Sequence, residues 1–246
     1  MGKDSAISWT DHTFNPWHGC TKLPERRECD YCYAEAFAKR TGHKCWGHST
    51  PRRLFGAAHW QELFKWDAAA FDKGQRASVF CGSMCDVFED NADAETQRPK
   101  LWDYIRRTPS LLWLLLSKRS VDAPRLLPED LWNGNPRVFV GATAGTPQPI
   151  HWVDFLSCEP LLQWIDLGQW FHRVPRMRTV IIGAESRGKF PGRECQMEWV
   201  RDMVRQCRAA KVSCFVKQLH IDGRLVTDPA LFPPDLRVRD LAWRLP

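Results

Sequence analysis

Three cysteines near the amino end have the spacing of metal ligands. Cys20, Cys29 and Cys32 form a C-x8-C-x2-C pattern that leads directly into residues 33–40, a stretch with the pattern of an amphipathic helix. A closed structural zinc site uses four protein ligands, whereas an open iron–sulfur cluster or a catalytic metal keeps one position free. Three thiolates therefore predict an open metal site.

The last two cysteines are separated by Asp30 and Tyr31, so both sulfurs can chelate one metal centre as the chain enters the helix. The amino end of a helix also favours thiolates through its partial positive charge. An iron–sulfur cluster with three protein ligands and one open iron is the favoured interpretation. Incidental buried thiols are one alternative. The other is a zinc site whose fourth ligand is a histidine, with four candidates nearby: His12, His18, His43 and His48.

Composition limits the class of protein. The 246 residues are 43% hydrophobic and 26% charged, which is typical of a globular protein. A formal net charge of +6 permits nucleotide or nucleic-acid partners without requiring them. Ten irregularly spaced cysteines and the lack of a charged-then-apolar leader predict a cytoplasmic protein. The most apolar run, residues 111–116, is far shorter than the ~20 residues of a membrane helix, so no membrane span is predicted.

Short apolar runs alternate with helical patterns along the chain. Runs that are apolar on both faces are typical of parallel strands covered by helices. They lie at residues 79–81, 112–116, 137–141, 153–157, 179–183 and 213–217, with a first strand near residues 7–10. Helical patterns cover residues 94–107 and 198–210. The repetition predicts an α/β fold: a partial parallel (β/α) barrel of about six strands, in which loops at the carboxyl ends of the strands carry the active site.

One crossover helix is predicted to be missing between about 142 and 152. This connection is close to the minimum length of a crossover, and its two prolines and one glycine oppose helix formation. A missing helix would leave an open face for a protein partner or a site accessible to a large substrate. We assign residues 1–218 to the barrel domain and residues 219–246 to a C-terminal capping extension, with a hairpin turn signal at Asp222-Gly223.

Polar side chains follow the predicted strands, and parallel strands would bring them to one end of the sheet. The cysteines would join them if they follow the first strand. Any one of these polar residues could instead be a turn former or a helix cap. Charged groups directly after apolar strands are costly to bury without a partner, which favours a role for the carboxylates and the lysine. The residues are Ser83, Asp86, Ser117, Lys118, Arg119, Thr143, Cys158, Glu159, Glu185, Ser186 and Gln218.

A three-cysteine pattern that ends in C-x-aromatic-C at the start of a β/α repeat resembles the radical S-adenosylmethionine (SAM) superfamily, although the first gap there is three residues and here it is eight. More specifically, the chain resembles a phage and bacterial three-cysteine-motif family of poorly characterised radical SAM-like proteins. The similar stretches run in order from about residue 8 to 218: Ser8–Thr10, Asn15–Cys20, Cys29–Ala34, Leu115–Arg119, Leu156–Leu162, Val180–Ser186 and Phe215–Gln218.

The resemblance implies a barrel of the radical SAM type and two cofactors. Cys20, Cys29 and Cys32 would hold three irons of a [4Fe–4S] cluster, leaving the fourth iron for SAM. Reductive cleavage of SAM, with an external electron donor, would yield a 5′-deoxyadenosyl radical that abstracts hydrogen from the substrate. The implied SAM contacts are Tyr31 beside the adenine, Lys118 or Arg119 for the carboxylate, and Glu159 for a ribose hydroxyl. The chain lacks the glycine-glycine-glutamate stretch with which the superfamily binds the ammonium group, so we assign that group to Ser83 and Asp86, whose hydroxyl and carboxylate can accept from it. Glu185, which follows a predicted strand, is assigned as a further cofactor-binding residue.

The substrate is not specified by the sequence, and no catalytic residue is assigned. Basic and aromatic residues around the cysteines suit a nucleotide or nucleic acid, and an ordinary solvated basic face is the alternative. They are Arg26, Arg27, Arg40, Arg52 and Arg53, with Trp17, Trp46 and His48 interleaved. Two other functions stay open: a zinc-containing nucleic-acid-binding module, and a non-catalytic partner protein on a decayed barrel.

Overall fold

The computed structural model describes residues 4–186 and 192–244. Its strands are β1 His12–Phe14, β2 Trp17–His18, β3 Arg53–Leu54, β4 Ala77–Cys81, β5 Leu111–Ser117, β6 Val138–Thr143, β7 Phe155–Cys158, β8 Thr179–Gly183, β9 Ser213–Ile221 and β10 Arg224–Val226. Its α-helices are α1 Tyr33–Arg40, α2 Ala57–Asp72, α3 Ala92–Arg106, α4 Ala123–Leu126, α5 Glu129–Trp132, α6 Gly168–Arg173 and α7 Met197–Ala210.

Eight of these strands form a mostly parallel sheet in the order β1-β4-β5-β6-β7-β8-β9-β10. The pairs β1–β4, β4–β5, β6–β7, β7–β8 and β8–β9 are parallel, and β9–β10 is antiparallel. The short strands β2 and β3 pair separately and antiparallel. The α/β class with a mostly parallel sheet, predicted from the sequence, is therefore confirmed.

Two details of the predicted sheet were wrong. The sheet has eight strands rather than about six, partly because the residues after Asp222-Gly223 return as β10 and extend the sheet. The first strand is His12–Phe14 rather than residues 7–10, because the latter residues form a turn in which the Thr10 amide donates to the Ile7 carbonyl. A three-residue strand gives too short an apolar pattern to be recognised in sequence.

The chain folds as two compact units. One contains Met1–Pro24 and Ala34–Val140, and the other contains Glu25–Tyr33 and Gly141–Pro246. The strand β6 begins in the first unit and ends in the second. Cys20 belongs to the first unit, whereas Cys29 and Cys32 belong to the second.

The first unit has an aromatic core beside β1, β4 and β5. Phe14 on β1 packs edge-on against Trp60 of α2 at 5.1 Å between ring centroids, and against Trp113 of β5 at 6.2 Å. All three side chains are buried. The nearly continuous burial along β5 is what parallel strands covered on both faces require. The helix α3 begins after Asn91, whose side chain caps it by accepting from the Asp93 amide.

The second unit packs α7 against β9. Val200, Met203, Val204 and Cys207 form the buried stripe of α7, at the helical spacing that the sequence predicts. The strand β9 continues through residue 218, which was the predicted domain boundary. After β10 the chain returns and lies alongside the first half of β9. There, the Val216 amide donates to the Val238 carbonyl and the Asp240 amide to the Cys214 carbonyl.

The connection between β6 and β7 confirms the missing crossover helix. Residues 144–154, all of them described, contain no helix, whereas α6 follows β7 and α7 follows β8. A cavity of about 350 Å³ lies beside this connection; its lining includes Pro147, Pro149, Trp164 and Trp170. The hairpin turn predicted at Asp222-Gly223 is also confirmed, because both residues have positive φ (48° and 72°) between β9 and β10.

Within the described ranges, no helix is long and apolar enough to cross a membrane.

Candidate functional site

The loop that carries Cys20 depends on a glycine before it. Gly19 has φ of +115°, and a Cβ atom there would lie 2.1 Å from the carbonyl oxygen of Cys45 and 2.8 Å from Cδ of Arg52. The Gly19 amide donates to the Met84 carbonyl at 3.1 Å, and the Cys20 carbonyl accepts from the Gly47 amide at 3.1 Å. Only glycine combines this conformation with this close approach, so the sequence Gly19-Cys20 fixes the path of the loop.

A buried ion pair supports the same loop. The side chains of Arg52 and Glu89 are both 0% exposed, and their carboxylate and guanidinium make two hydrogen bonds at 2.9 and 2.7 Å. Glu89 also accepts from the Trp17 indole and from the Thr21 amide. Arg52 donates to the backbone carbonyls of Cys45, Gly47 and Thr50 and to the Thr21 hydroxyl. Removing one partner of such a pair would leave a buried charge uncompensated. Through its hydrogen bonds to Trp17, Thr21 and the three carbonyls, the pair holds the residues next to Cys20 in place.

Asp86 is the centre of a second network, which lies at the carboxyl ends of β4 and β5. Its two carboxylate oxygens accept four hydrogen bonds, from the Phe88 amide, the Ser117 hydroxyl, the Lys118 amide and the Arg119 guanidinium. The Ser117 bond is 2.6 Å long, and the Arg119 bond is 3.3 Å. The carboxylate therefore organises the turn that follows β5.

Arg119 connects this network to the cysteine loop. Its guanidinium donates to Sγ of Cys20 at 3.7 Å and to the Thr21 carbonyl at 2.5 Å. Burial, followed by the carboxylates of Asp86 and Glu89, raises the pKa of the Cys20 thiol to about 12. The side chain without a metal is therefore a thiol near neutral pH, and a bound metal would displace its proton.

Ser83 lies in the turn after β4. Its hydroxyl accepts from the Asn15 amide nitrogen at 2.8 Å, and the Asn15 amide oxygen accepts from the Met84 amide at 2.6 Å. Asn15 follows β1, so it joins the ends of two neighbouring parallel strands. In the first unit the predicted residues Cys20, Ser83, Asp86, Ser117, Lys118 and Arg119 thus belong to connected loops, as the sequence predicts for the ends of parallel strands.

The other two cysteines flank a tight turn in the second unit. Arg27–Cys29 form one turn of 3₁₀ helix, and α1 begins directly after Cys32. Cys29 is buried, Cys32 is half-buried, and the Tyr31 ring between them is 49% exposed.

Arg193 holds this turn against the carboxyl end of β8. Its guanidinium makes hydrogen bonds to the buried carboxylate of Glu185, the shortest of them 2.6 Å. It also donates to the Asp30 carboxylate and the Arg27 carbonyl, both at 3.0 Å, and lies 5.0 Å from the centre of the Tyr31 ring. Sequence reasoning missed Arg193, since nothing in the local pattern distinguishes it from a surface arginine. Glu185, predicted as a cofactor-binding residue, makes its contacts here with this guanidinium.

Glu28 is a second anchor of the same turn. Its buried carboxylate accepts from the Gly145 amide at 2.6 Å through one oxygen, while the other oxygen is buried with no hydrogen-bond partner. A Cβ on Gly145 would lie 2.0 Å from the Pro160 carbonyl oxygen and 3.0 Å from Cγ of Glu28. Gly145 therefore allows a close approach that a larger residue would prevent.

Glu159 forms a polar cluster with the end of β9. Its Oε1 accepts from the ammonium of Lys217 and, at 3.2 Å, from the side-chain amide of Gln218. Gln218 also donates to the Ala184 carbonyl at 2.6 Å. Gly183 makes room for this cluster, since a Cβ there would lie 3.3 Å from Cγ of Glu159. The sequence predicts Glu159 and Gln218 at this edge but does not single out Lys217.

The remaining predicted residues differ in burial. Cys158 is fully buried in β7, Thr143 is buried at the end of β6, and Ser186 is exposed. Trp17 and Arg52, predicted among basic and aromatic residues around the cluster, are both buried in the network around Glu89. Tryptophan is highly buried on average, so the burial of Trp17 needs no special partner. The burial of Arg52 depends on the carboxylate of Glu89, 37 residues away.

Across residues 4–186 and 192–244, no group of three or more histidine, cysteine, aspartate or glutamate side chains is arranged to hold a metal ion. All ten cysteines, each within those ranges, are free thiols. Cys20 and Cys32 are partly exposed, and the other eight are buried.

Fold and site together define an α/β protein with a mostly parallel sheet, whose cysteine loops are anchored by buried charged residues. A family model described as "Protein of unknown function (DUF5131)" matches residues 4–223, and the chain belongs to this family. Comparisons with curated proteins and with solved structures found no match.

Proposed function

We propose that this protein is a radical SAM enzyme built on a partial (β/α) barrel of that type, in which Cys20, Cys29 and Cys32 hold a [4Fe–4S] cluster. One observation carries the proposal. Each compact unit ties its cysteine loop to charged residues at the carboxyl ends of its own parallel strands: Cys20 to Arg119 after β5, and the turn of Cys29 and Cys32 to Glu185 after β8 through Arg193. Catalytic loops of (β/α) barrels occupy this end of the strands.

The donor set suits the cluster. Iron–sulfur clusters are held by cysteine thiolates, and three ligands leave one iron open. The three cysteines are free thiols, and two of them are the partly exposed cysteines of the chain. The side chains that hold their loops are buried and hydrogen-bonded, which orients metal ligands and tunes their basicity.

A cluster held by Cys20, Cys29 and Cys32 would supply the reductive cleavage of SAM, with one electron from an external donor, and the resulting 5′-deoxyadenosyl radical would abstract hydrogen from the substrate. The chain contributes binding and orientation. Tyr31 offers an exposed ring for the adenine, and Glu159 keeps its second carboxylate oxygen for a ribose hydroxyl.

The polar groups of the first unit would meet the methionine part of SAM. The predicted pair of basic residues divides here: Lys118 would contact the carboxylate, because the Arg119 guanidinium is already bonded to Cys20, Asp86 and Thr21. Ser83 would contact the ammonium group. Asp86 already accepts four hydrogen bonds, so its contribution in this proposal is chiefly to hold the turn of Lys118 and Arg119. A nucleotide or nucleic acid remains the proposed substrate class, on the strength of the basic composition.

Anaerobic purification followed by metal analysis tests the proposal. We expect a brown protein with about four irons and four sulfides per chain, and formation of 5′-deoxyadenosine when the protein is reduced with SAM. The double substitution Cys29→Ala and Cys32→Ala should abolish the iron. The matched control is Cys207→Ala, which removes a buried thiol from α7 and should leave the iron content unchanged. A full cluster in the double variant would refute the ligand assignment.

The same measurement separates the other two functions. A colourless protein with about one zinc, whose binding to DNA or RNA weakens with salt, would identify a zinc-containing nucleic-acid-binding module. A protein with neither metal in stoichiometric amount would indicate a non-catalytic partner, and the open connection at residues 142–152 would then be the first surface to examine for a protein partner.

A further inference from the structure

The contact between Arg119 and Cys20 is part of a built arrangement. The Arg119 guanidinium reaches Sγ of Cys20 and the carbonyl of Thr21, the next residue, so it contacts the loop at two successive residues. The same guanidinium pairs with Asp86 at 3.3 Å. Its position is therefore determined from three sides.

The backbone of Arg119 is fixed as well. Its amide donates to the Ser117 hydroxyl at 2.7 Å, and that hydroxyl donates to Asp86. The side chains of Arg119 and Asp86 are only 13% and 7% exposed. A charge this far from water interacts strongly with its neighbours, because the solvent screens it little.

We propose that Arg119 is a positioning residue that raises the reduction potential of the cluster held by Cys20. This inference rests on the function proposed above. Hydrogen bonds to cluster sulfurs and nearby charges are among the factors that set such potentials. The reduced cluster carries one more negative charge than the oxidised one, so a fixed guanidinium against a ligand sulfur stabilises the reduced form.

The test substitutes Arg119→Gln, which keeps a hydrogen-bonding side chain and removes the charge. The matched control is Arg137→Gln, which removes a half-buried guanidinium whose hydrogen bonds go to the carbonyls of Ile105 and Thr108 rather than to a cysteine. Iron is quantified first for each protein. The midpoint potential is then measured by redox titration monitored by electron paramagnetic resonance.

We expect Arg119→Gln to disfavour one-electron reduction at least tenfold, a shift of about 59 mV to more negative potential. Arg137→Gln should leave the potential unchanged. A third variant, Arg119→Lys, keeps the charge, but its single ammonium cannot reproduce the guanidinium's fork of contacts to Cys20 and Thr21. It should show a smaller negative shift.

Each outcome decides. If the wild-type protein holds no iron, the proposed function fails and this inference fails with it. If iron is present and the potentials of Arg119→Gln and Arg137→Gln agree, the inference is overturned while the proposed function stands. If Arg119→Gln does not retain the cluster, an unchanged potential in Arg119→Lys overturns the inference, and a negative shift supports it.

Discussion

The buried ion pair of Arg52 and Glu89 should be the most sensitive element of the Cys20 loop. The substitution Glu89→Gln keeps the shape of the side chain but removes its charge and replaces one acceptor oxygen with a donor. Four hydrogen bonds end on this carboxylate, from the Trp17 indole, the Thr21 amide and two nitrogens of Arg52. The variant therefore leaves the Arg52 charge buried and at least one donor without a partner.

Removing one partner of a buried pair costs about 3–5 kcal/mol of unfolding free energy. In a chain of this length each kcal/mol lowers the melting temperature by roughly 2–4 °C, so the expected loss is roughly 6–20 °C. Urea denaturation gives the free energy, and circular dichroism during heating gives the melting temperature.

The matched control is Asp130→Asn, which breaks the pair of Arg106 and Asp130. That pair also has two hydrogen bonds, at 2.7 and 2.8 Å, but its side chains are 43% and 57% exposed. An exposed pair contributes about 0–1 kcal/mol. If Glu89→Gln lowers the unfolding free energy no more than Asp130→Asn does, burial is not what makes the pair of Arg52 and Glu89 important, and the reasoning is refuted.

Three further predictions concern the same two loops. Gly19→Ala should lower the unfolding free energy several times as much as Gly42→Ala does, because both glycines have positive φ but a Cβ at residue 42 has no neighbour within 4 Å. Backbone strain alone costs about 1–2 kcal/mol at either position. Equal losses in urea denaturation would refute the steric argument. Glu185→Gln should speed amide hydrogen exchange at residues 27–31 by about tenfold or more, because charge-assisted bonds to Arg193 contribute about 1.5–3 kcal/mol. Unchanged exchange would show that the bonds between Glu185 and Arg193 do not hold the turn. His18→Phe should flatten the pH dependence of stability. Burial, and then Arg53, lowers the pKa of His18 to about 4, so between pH 6.5 and about 4 the unfolded state binds the extra proton and the stability of the wild-type protein falls as pH falls. Parallel curves of stability against pH for the two proteins would contradict this.

Local patterns in the sequence were enough for the class of fold. Strand β5, the buried stripe of α7 and the Asp222-Gly223 turn depend on neighbouring residues, so their apolar periodicity and punctuation predict them directly. The missing helix after β6 was predictable for the same reason, since proline restricts the backbone locally. The short strand β1 was not, because three residues define no period.

The partners of the site residues could not be predicted in this way. Glu185 and Glu159 follow their strands as expected, but their bonding to Arg193 and Lys217 depends on tertiary contacts. The same is true of Arg52, which the sequence predicts on a basic surface and the fold buries against Glu89. Charged residues are usually exposed, so their burial is visible only once the partner is known.

The long first gap of the cysteine pattern has a physical explanation in these contacts. Two residues in it are anchors: Glu28 binds the Gly145 amide, and the carbonyl of Arg27 accepts from Arg193. Cys29 directly follows both. Its position is therefore set by these anchors rather than by the number of residues after Cys20, so an eight-residue gap does not by itself argue against a three-cysteine cluster. The short spacing of Cys29 and Cys32 is the informative part of the pattern, because with two residues between them both sulfurs can bind one metal centre. The two intervening residues, Asp30 and Tyr31, are both held by the Arg193 guanidinium.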